Sequence, residues 1–151
     1  MSKVDNTLLG IIIGAIGTYL TLRYNYKALF AKTVSESRNR WIDIFRENIS
    51  IMLAEAESYI RLREMCLCFE SNTALKDGHY NSFCKARNMI ISRLNENEDD
   101  HIMLQSSIMQ LNIDKLNMLK FAKMRELILI QTRFILKPEW ERVKEEANGE
   151  K

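Results

Sequence analysis

Residues 41–60 read WIDIFRENISIMLAEAESYI, and the fold follows from how their apolar side chains repeat. Ile42, Phe45, Ile49, Met52, Ala56 and Tyr59 are spaced 3, 4, 3, 4 and 3 apart, while Trp41, Leu53 and Ile60 widen the row into a stripe. That is the repeat of an a/d helical seam, which buries one face against other helices or a partner. No Gly or Pro interrupts the chain from Ser35 to Asn72, so a helix of about 40 residues, roughly 55–60 Å long, is predicted here. It is free to continue upstream. The seam falters at Arg63, and Asn72-Thr-Ala-Leu-Lys-Asp-Gly78 supplies turn chemistry, with Asp77-Gly78 the clearest break.

Downstream, a second helix is predicted from about His79 to Leu94, with Tyr80, Phe83, Arg87, Ile90 and Leu94 on one face and Cys84 and Ile91 beside it. Asn95-Glu-Asn-Glu-Asp-Asp100 reads as a polar boundary. There Asn95 or Asn97 can cap, and Glu98, Asp99 and Asp100 complement a positive helix N-terminus. A third helix is predicted from about Asp99 to Leu136. Leu104, Ile108, Leu111, Met118 and Ala122 line one stripe of it, and Phe121, Met124, Ile128 and Ile135 continue on a shifted one. Leu127-Ile-Leu-Ile130 is apolar all round and is expected to be buried against two neighbours. Pro138 is expected to end or kink the helix, leaving Glu139 to Glu146 as a short last segment that packs back and buries Trp140. Asn148 to Lys151 is expected to fray. The predicted fold class is all-α: an antiparallel bundle of three helices, or four counting the tail, with coiled-coil character.

Upstream of the seam the chain changes character. Leu8 to Leu22 reads LLGIIIGAIGTYLTL, with no charge between Asp5 and Arg23. About 15 residues at 1.5 Å each cover about 22 Å, short of the roughly 30 Å hydrocarbon core of a bilayer. Thr7 on one side, and Tyr24, Tyr26, Leu29 and Phe30 on the other, extend it, with Arg23 and Lys27 able to snorkel. A transmembrane anchor near residues 6–26 is therefore expected. A secretory signal peptide would want a basic leading flank and a small-residue cleavage site, and neither is present. A buried core helix would need a polar face, which Ile11-Ile12-Ile13 denies it. Lys3 is offset by Asp5, whereas Arg23, Lys27 and Lys32 follow the span, so the C-terminal side is expected in the cytoplasm. Gly10, Gly14 and Gly17 could let two such helices approach closely. The expected organisation is residues 1–32 for tail, anchor and basic juxtamembrane segment, 33–147 for the bundle and 148–151 for a frayed tail.

The 151 residues carry 22 Lys and Arg against 20 Asp and Glu, and only 5 Gly and 1 Pro. Setting aside Lys3, Arg23, Lys27, Lys32 and Asp5 leaves 18 basic and 19 acidic residues, with no run of one sign and no footprint for nucleic acid. Cys66, Cys68, His79 and Cys84 are the residue types of a zinc site. On a helix, though, positions two apart point about 200° from each other, and ordinary packing is the expected role. His79 and His101 stand beside polar residues at expected helix starts and are given exposed or capping roles. Glu55, Glu57, Glu64 and Glu70 lack the Glu-x-x-His pairs of a carboxylate metal centre and are read as a charged face pairing with Arg61 and Arg63. None of the common nucleotide-binding, zinc-protease or serine-hydrolase motifs occurs. The 8 methionines, among them Met52, Met65, Met89, Met103, Met109, Met118 and Met124, suit either core filling or an adaptable groove.

Three stretches together resemble a group of small bacterial membrane-anchored helical proteins. They are Ser37-Arg-Asn-Arg-Trp41-Ile42-Asp-Ile-Phe-Arg46-Glu-Asn-Ile-Ser50, Arg93-Leu94-Asn95, and Leu136-Lys137-Pro-Glu139-Trp140-Glu-Arg142-Val-Lys144. The group carries W-I-x-x-x-R, an L-N-P-like turn and a terminal E-W-x-R-V-K. Here Glu96 stands where the turn motif has Pro, and Pro138 interrupts what is otherwise continuous helix. The resemblance implies a bacterial origin and a membrane-anchored helical architecture rather than an activity.

The functional expectation is a non-enzymatic, single-pass membrane protein with no catalytic, cofactor or metal residues. Its partners are the lipid bilayer and either a second copy or another protein, with no nucleic acid and no small-molecule substrate. The residues expected to matter are Gly10, Gly14 and Gly17 for packing in the membrane, the seam Trp41, Ile42, Phe45, Ile49, Met52, Ala56 and Tyr59, and Trp140 and Arg142 in the tail. The alternatives are an effector or accessory of antiphage defence that perturbs the membrane and, less favoured, a phage-encoded lysis or exclusion protein.

Overall fold

The computed structural model describes residues 3–65 and 73–148, with side-chain surroundings given from residue 10 to residue 146. These residues form four helices: α1 (Lys3–Met65), α2 (Thr73–Ile91), α3 (Asp99–Met109) and α4 (Met118–Asn148). Among the described residues there is no strand. The apolar stretch and the seam belong to one helix of 63 residues, about 95 Å long at 1.5 Å per residue. Among the described residues only its second half has neighbours: Ile42, Phe45, Ile49, Met52, Leu53, Ala56, Tyr59 and Ile60 are buried, and they form the spine of the core.

Contacts along that spine set the direction of every other helix. At its far end Lys76 of α2 sits over the Tyr59 ring, and His79 Nδ1 lies 2.5 Å from a Glu55 oxygen. At its near end Arg93 and Glu98 reach the level of Arg38 and Trp41, so α2 descends along α1. The 110–117 connection returns to the far end, where the Tyr59 hydroxyl donates to Asp114. α4 then descends from the Arg125–Glu57 pair to Glu139, which Arg38 meets at 3.1 Å. The result is an antiparallel four-helix arrangement in which α1 packs against α2 and α4, and α3 against α4. Phe83, Ala86 and Ile90 of α2, Leu104 and Ile108 of α3, and Phe121, Ile128, Ile135 and Val143 of α4 complete the core.

The expected third helix is two helices. Leu111 and Ile113 are both buried although they are two residues apart, a spacing no helix face can satisfy, and the chain turns instead. The Asn112 carbonyl accepts the amides of Lys115 and Leu116. The Asn117 side chain caps α4 by accepting the Lys120 amide at 2.9 Å. The expected break at Asp77-Gly78 is absent, because both lie inside α2. One Gly costs a helix only about 1 kcal/mol, which the docking of Lys76, His79 and Phe83 against α1 offsets. Pro138 does not end α4 either. It and Phe134, whose carbonyl it leaves without an amide, are exposed, so water can serve that carbonyl, while buried Leu136 and Val143 hold the chain on both sides. At α3 the cap position is Glu98, with no side-chain cap bond. Asn95 instead braces the turn by accepting the Asn97 amide and donating to Glu98.

Gly78 has open space where a Cβ would stand. Gly78→Ala is expected to raise the unfolding free energy by about 0.5–1 kcal/mol, read as a higher denaturant midpoint with an unchanged slope.

Candidate functional site

The 92–101 turn and the start of the α1 seam border an open pocket of about 420 Å³, with Arg38 and Trp41 on one wall and Arg93, Glu98, His101 and Glu139 on the others. It lies where the free half of α1 enters the bundle. Trp41 stacks on Phe45 with ring centres 5.0 Å apart, closing the floor. Arg38 is held between Glu139 and Glu146, joining the last turns of α4 to α1. His101 is buried, and its Nδ1 accepts the Asn95 amide at 2.8 Å. The ring proton therefore resides on Nε2, which faces Glu98 at 3.5 Å. With Nδ1 engaged by a backbone amide, His101 braces the turn and is in no position to act as a general base.

At the opposite end the 110–117 connection is clamped by polar groups. Arg63 donates to the Ile113 carbonyl at 2.6 Å and to the Leu116 carbonyl, and Glu64 accepts the Met118 amide at 3.1 Å. Burial, reinforced by the hydrogen bond to Asp114, pushes the Tyr59 hydroxyl up to about 12. Glu57 pairs with Arg61 at 2.6 Å and with Arg125 at 3.0 Å. The Arg61 hydrogen bond above all keeps its carboxyl below the usual carboxylate range. Among the described residues the expected face of Glu–Arg pairs on α1 thus holds for Glu57 and Arg61 alone. Arg63, Glu64 and Glu55 instead reach other parts of the fold. Between α1 and α4 a groove of about 510 Å³ has Ile49, Leu53 and Leu136 on its floor and Arg46, Arg125 and Arg133 around it.

The residues singled out from sequence fall in different places. Ile42, Phe45, Ile49, Met52, Ala56 and Tyr59 lie in the core, with Trp41 packed at its edge, so the seam is filled by the chain's own helices. At Gly10, Gly14 and Gly17 no other part of the described chain approaches within 4 Å of where a Cβ would stand. The tail does pack back, but through Val143 and the Arg38 pairs. Trp140 stays on the surface, 42% exposed under Lys144, because Val143 takes the inward position. Arg142 pairs with Glu139 at 2.5 Å on the outside. Of Leu127-Ile-Leu-Ile130 only Ile128 is buried, since α4 has neighbours on one side only. The methionines divide: Met52 is core, Met118 and Met124 pack against it, and Met65, Met89, Met103 and Met109 are exposed. Cys66, Cys68, Glu70 and Asn72 lie outside the described residues, as do residues 149–151. Among the described residues no group of His, Cys, Asp and Glu is placed to hold a metal ion.

Along the free half of α1, Ile11, Ile12, Ile13, Ile16, Tyr19, Leu20 and Leu22 are exposed all round the helix. Thr18 and Thr21 donate their hydroxyls to the carbonyls of Gly14 and Gly17, each at 2.9 Å. Among the described residues no helix is long and apolar enough to cross a membrane, and the side chains of Leu8 and Leu9, which open the apolar run, lie outside them.

No protein-family model matches the chain, and neither a curated protein nor a solved structure matches it significantly.

The polar clamp at Tyr59 has a pH signature. A hydroxyl that stays protonated to a higher pH in the folded chain than in the unfolded one contributes its full stability below pH 10. That contribution is lost as the pH rises through about 12. Denaturation midpoints measured from pH 9 to 12 are expected to fall more steeply for the wild type than for Tyr59→Phe.

Proposed function

We propose that the chain is a non-enzymatic, membrane-anchored helical protein that displays its bundle at the inner face of a bacterial cell membrane for interaction with protein. One observation carries this reading: α1 is uninterrupted, and its first half presents isoleucine and leucine around the whole helix while its second half is the core of the bundle. Apolar side chains with no covering partner are unfavourable in water by about 25 cal/mol per Å², and lipid relieves that cost. The run Leu8–Leu22 covers about 22 Å of the roughly 30 Å hydrocarbon thickness and is extended by Thr7, Tyr24 and Tyr26, and the internal hydrogen bonds of Thr18 and Thr21 remove the cost of placing their hydroxyls in lipid. Tyr19, Tyr24 and Tyr26, with Arg23 and Lys27, supply the aromatic and basic groups typical of the headgroup level. The basic residues after the run favour a cytoplasmic bundle.

Cell fractionation tests the anchor. The wild-type chain is expected to pellet with membranes, to resist alkaline carbonate and to be released by detergent. Ile12→Arg with Ile16→Arg, which puts two charges where each costs about 2.5–3.5 kcal/mol in a bilayer, is expected to move a folded bundle of unchanged helical circular dichroism into the supernatant. Wild-type chain found in the supernatant without detergent would overturn the reading.

A further inference from the structure

The outer face of α4 carries a second seam that none of the described residues covers. Lys120, Lys123, Leu127, Ile130, Phe134 and Lys137 are spaced 3, 4, 3, 4 and 3 apart, the repeat that fills the core from α1, and all are exposed, Phe134 by 63%. Lysines close the apolar part at both ends, and none of the three has an ion pair among the described residues. The neighbouring helix α3 has a matching outer face of opposite sign. Asp99, Ile102, Ser106 and Met109 are spaced 3, 4 and 3 apart and are all exposed, with Met103 beside them and Asp100 next to Asp99. Neither aspartate has an ion pair among the described residues.

The two faces are also in register by height. The pocket that joins Trp41, His101 and Glu139 sets the start of α3 level with the end of the α4 seam. The 110–117 clamp at Tyr59 and the Arg125–Glu57 pair set the far end of α3 near the start of that seam. α3 and α4 are adjacent and antiparallel. A two-fold axis along the bundle preserves heights, so it brings α3 of one copy against α4 of the other, twice over. Asp99 and Asp100 then face Lys137, while Ile102 and Met103 face Phe134 and Ile130. Pairing α4 with α4 would set lysine against lysine in either direction, which like charges disfavour.

We infer that the outer faces of α3 and α4 form a two-fold interface with a second copy of this chain, α3 of each copy seated on the Leu127–Ile130–Phe134 seam of the other. The inference deepens the proposed function and rests on it for the direction of the axis, because two copies anchored in one membrane stand side by side at equal height. α3 is only about 16 Å long, so the contact is small. Tethering in a common bilayer supplies the local concentration that such a contact needs.

The test is disulfide trapping in native membranes with the full chain, after replacing Cys66, Cys68 and Cys84 by Ser. Two differently tagged copies are co-expressed, one with Met103→Cys and the other with Phe134→Cys. The mixed disulfide is expected to exceed either same-residue disulfide severalfold. Adding Lys137→Glu to the Phe134→Cys copy is expected to lower it by at least about fivefold, and adding Asp99→Lys to the Met103→Cys copy to restore it. Both charged positions are exposed, so unchanged thermal melting shows that the fold is intact. A dominant Phe134→Cys same-residue disulfide, no dimer from membrane-pelleted chain, or a mixed disulfide indifferent to the charge swap would each overturn the interface and leave the anchor standing. A mixed disulfide in chain recovered from the supernatant would uphold the interface and overturn the anchor.

Discussion

The burial of the α1 seam is the constraint on which the bundle depends. α1 packs against both α2 and α4, while α3 is held through α4. Phe45, Met52, Ala56 and Ile60 are fully enclosed, and burial of large apolar side chains of this kind contributes about 1.5–3 kcal/mol each. Such a row stabilises the bundle only while every turn of α1 stays in phase with its neighbours. A helix that keeps its phase through residues 42–60 has no local reason to stop at residue 35, where no Gly or Pro stands. Folding the bundle therefore helps to order the lower part of the apolar half.

Polar contacts at the two ends of the seam fix how the other helices lie on it. Arg38 with Glu139 and Glu146 ties the last turns of α4 to the point where the free half of α1 begins. Arg63, Glu64 and Tyr59 hold the 110–117 connection at the other end. Arg38, Arg63 and Tyr59 are buried or half-buried groups on backbone or carboxylate partners, where the loss of one member leaves the other desolvated. Apolar burial gives the helices their attraction, and these end clamps give them their register. The His101–Asn95 bond does the same for the turn into α3.

The exposed apolar half of α1 and the spine of the core belong to one continuous helix. Any rotation or tilt of the apolar half is transmitted to the bundle without a hinge, because no glycine or proline lies between Gly17 and the seam. Two copies side by side would then share their orientation through the helix faces that remain uncovered. The exposed surfaces of α3 and α4 are the ones turned away from α1, so pairing there leaves the core undisturbed.

Local periodicity was enough to read the helical class, the α1 seam, Phe83 and Ile90 in α2, and Phe121, Ile128 and Ile135 in α4. Each of those depends on which side chains share one face of one helix, and a linear repeat records that directly. The split between α3 and α4 escaped that reading because the apolar spacing from Leu111 to Met118 spans one heptad and mimics an unbroken stripe. Gly78 and Pro138 misled it because their costs of about 1 and 3 kcal/mol in a helix are set against tertiary contacts that no local window contains. The polar partners of Arg38, Arg63, Tyr59 and His101 could not be read in advance, since they lie between 6 and 108 residues away. Only the packed helices decided which apolar residues of α4 went inward, because Leu127 and Ile130 are as hydrophobic as Ile128 and differ from it only in which way the neighbouring helices lie.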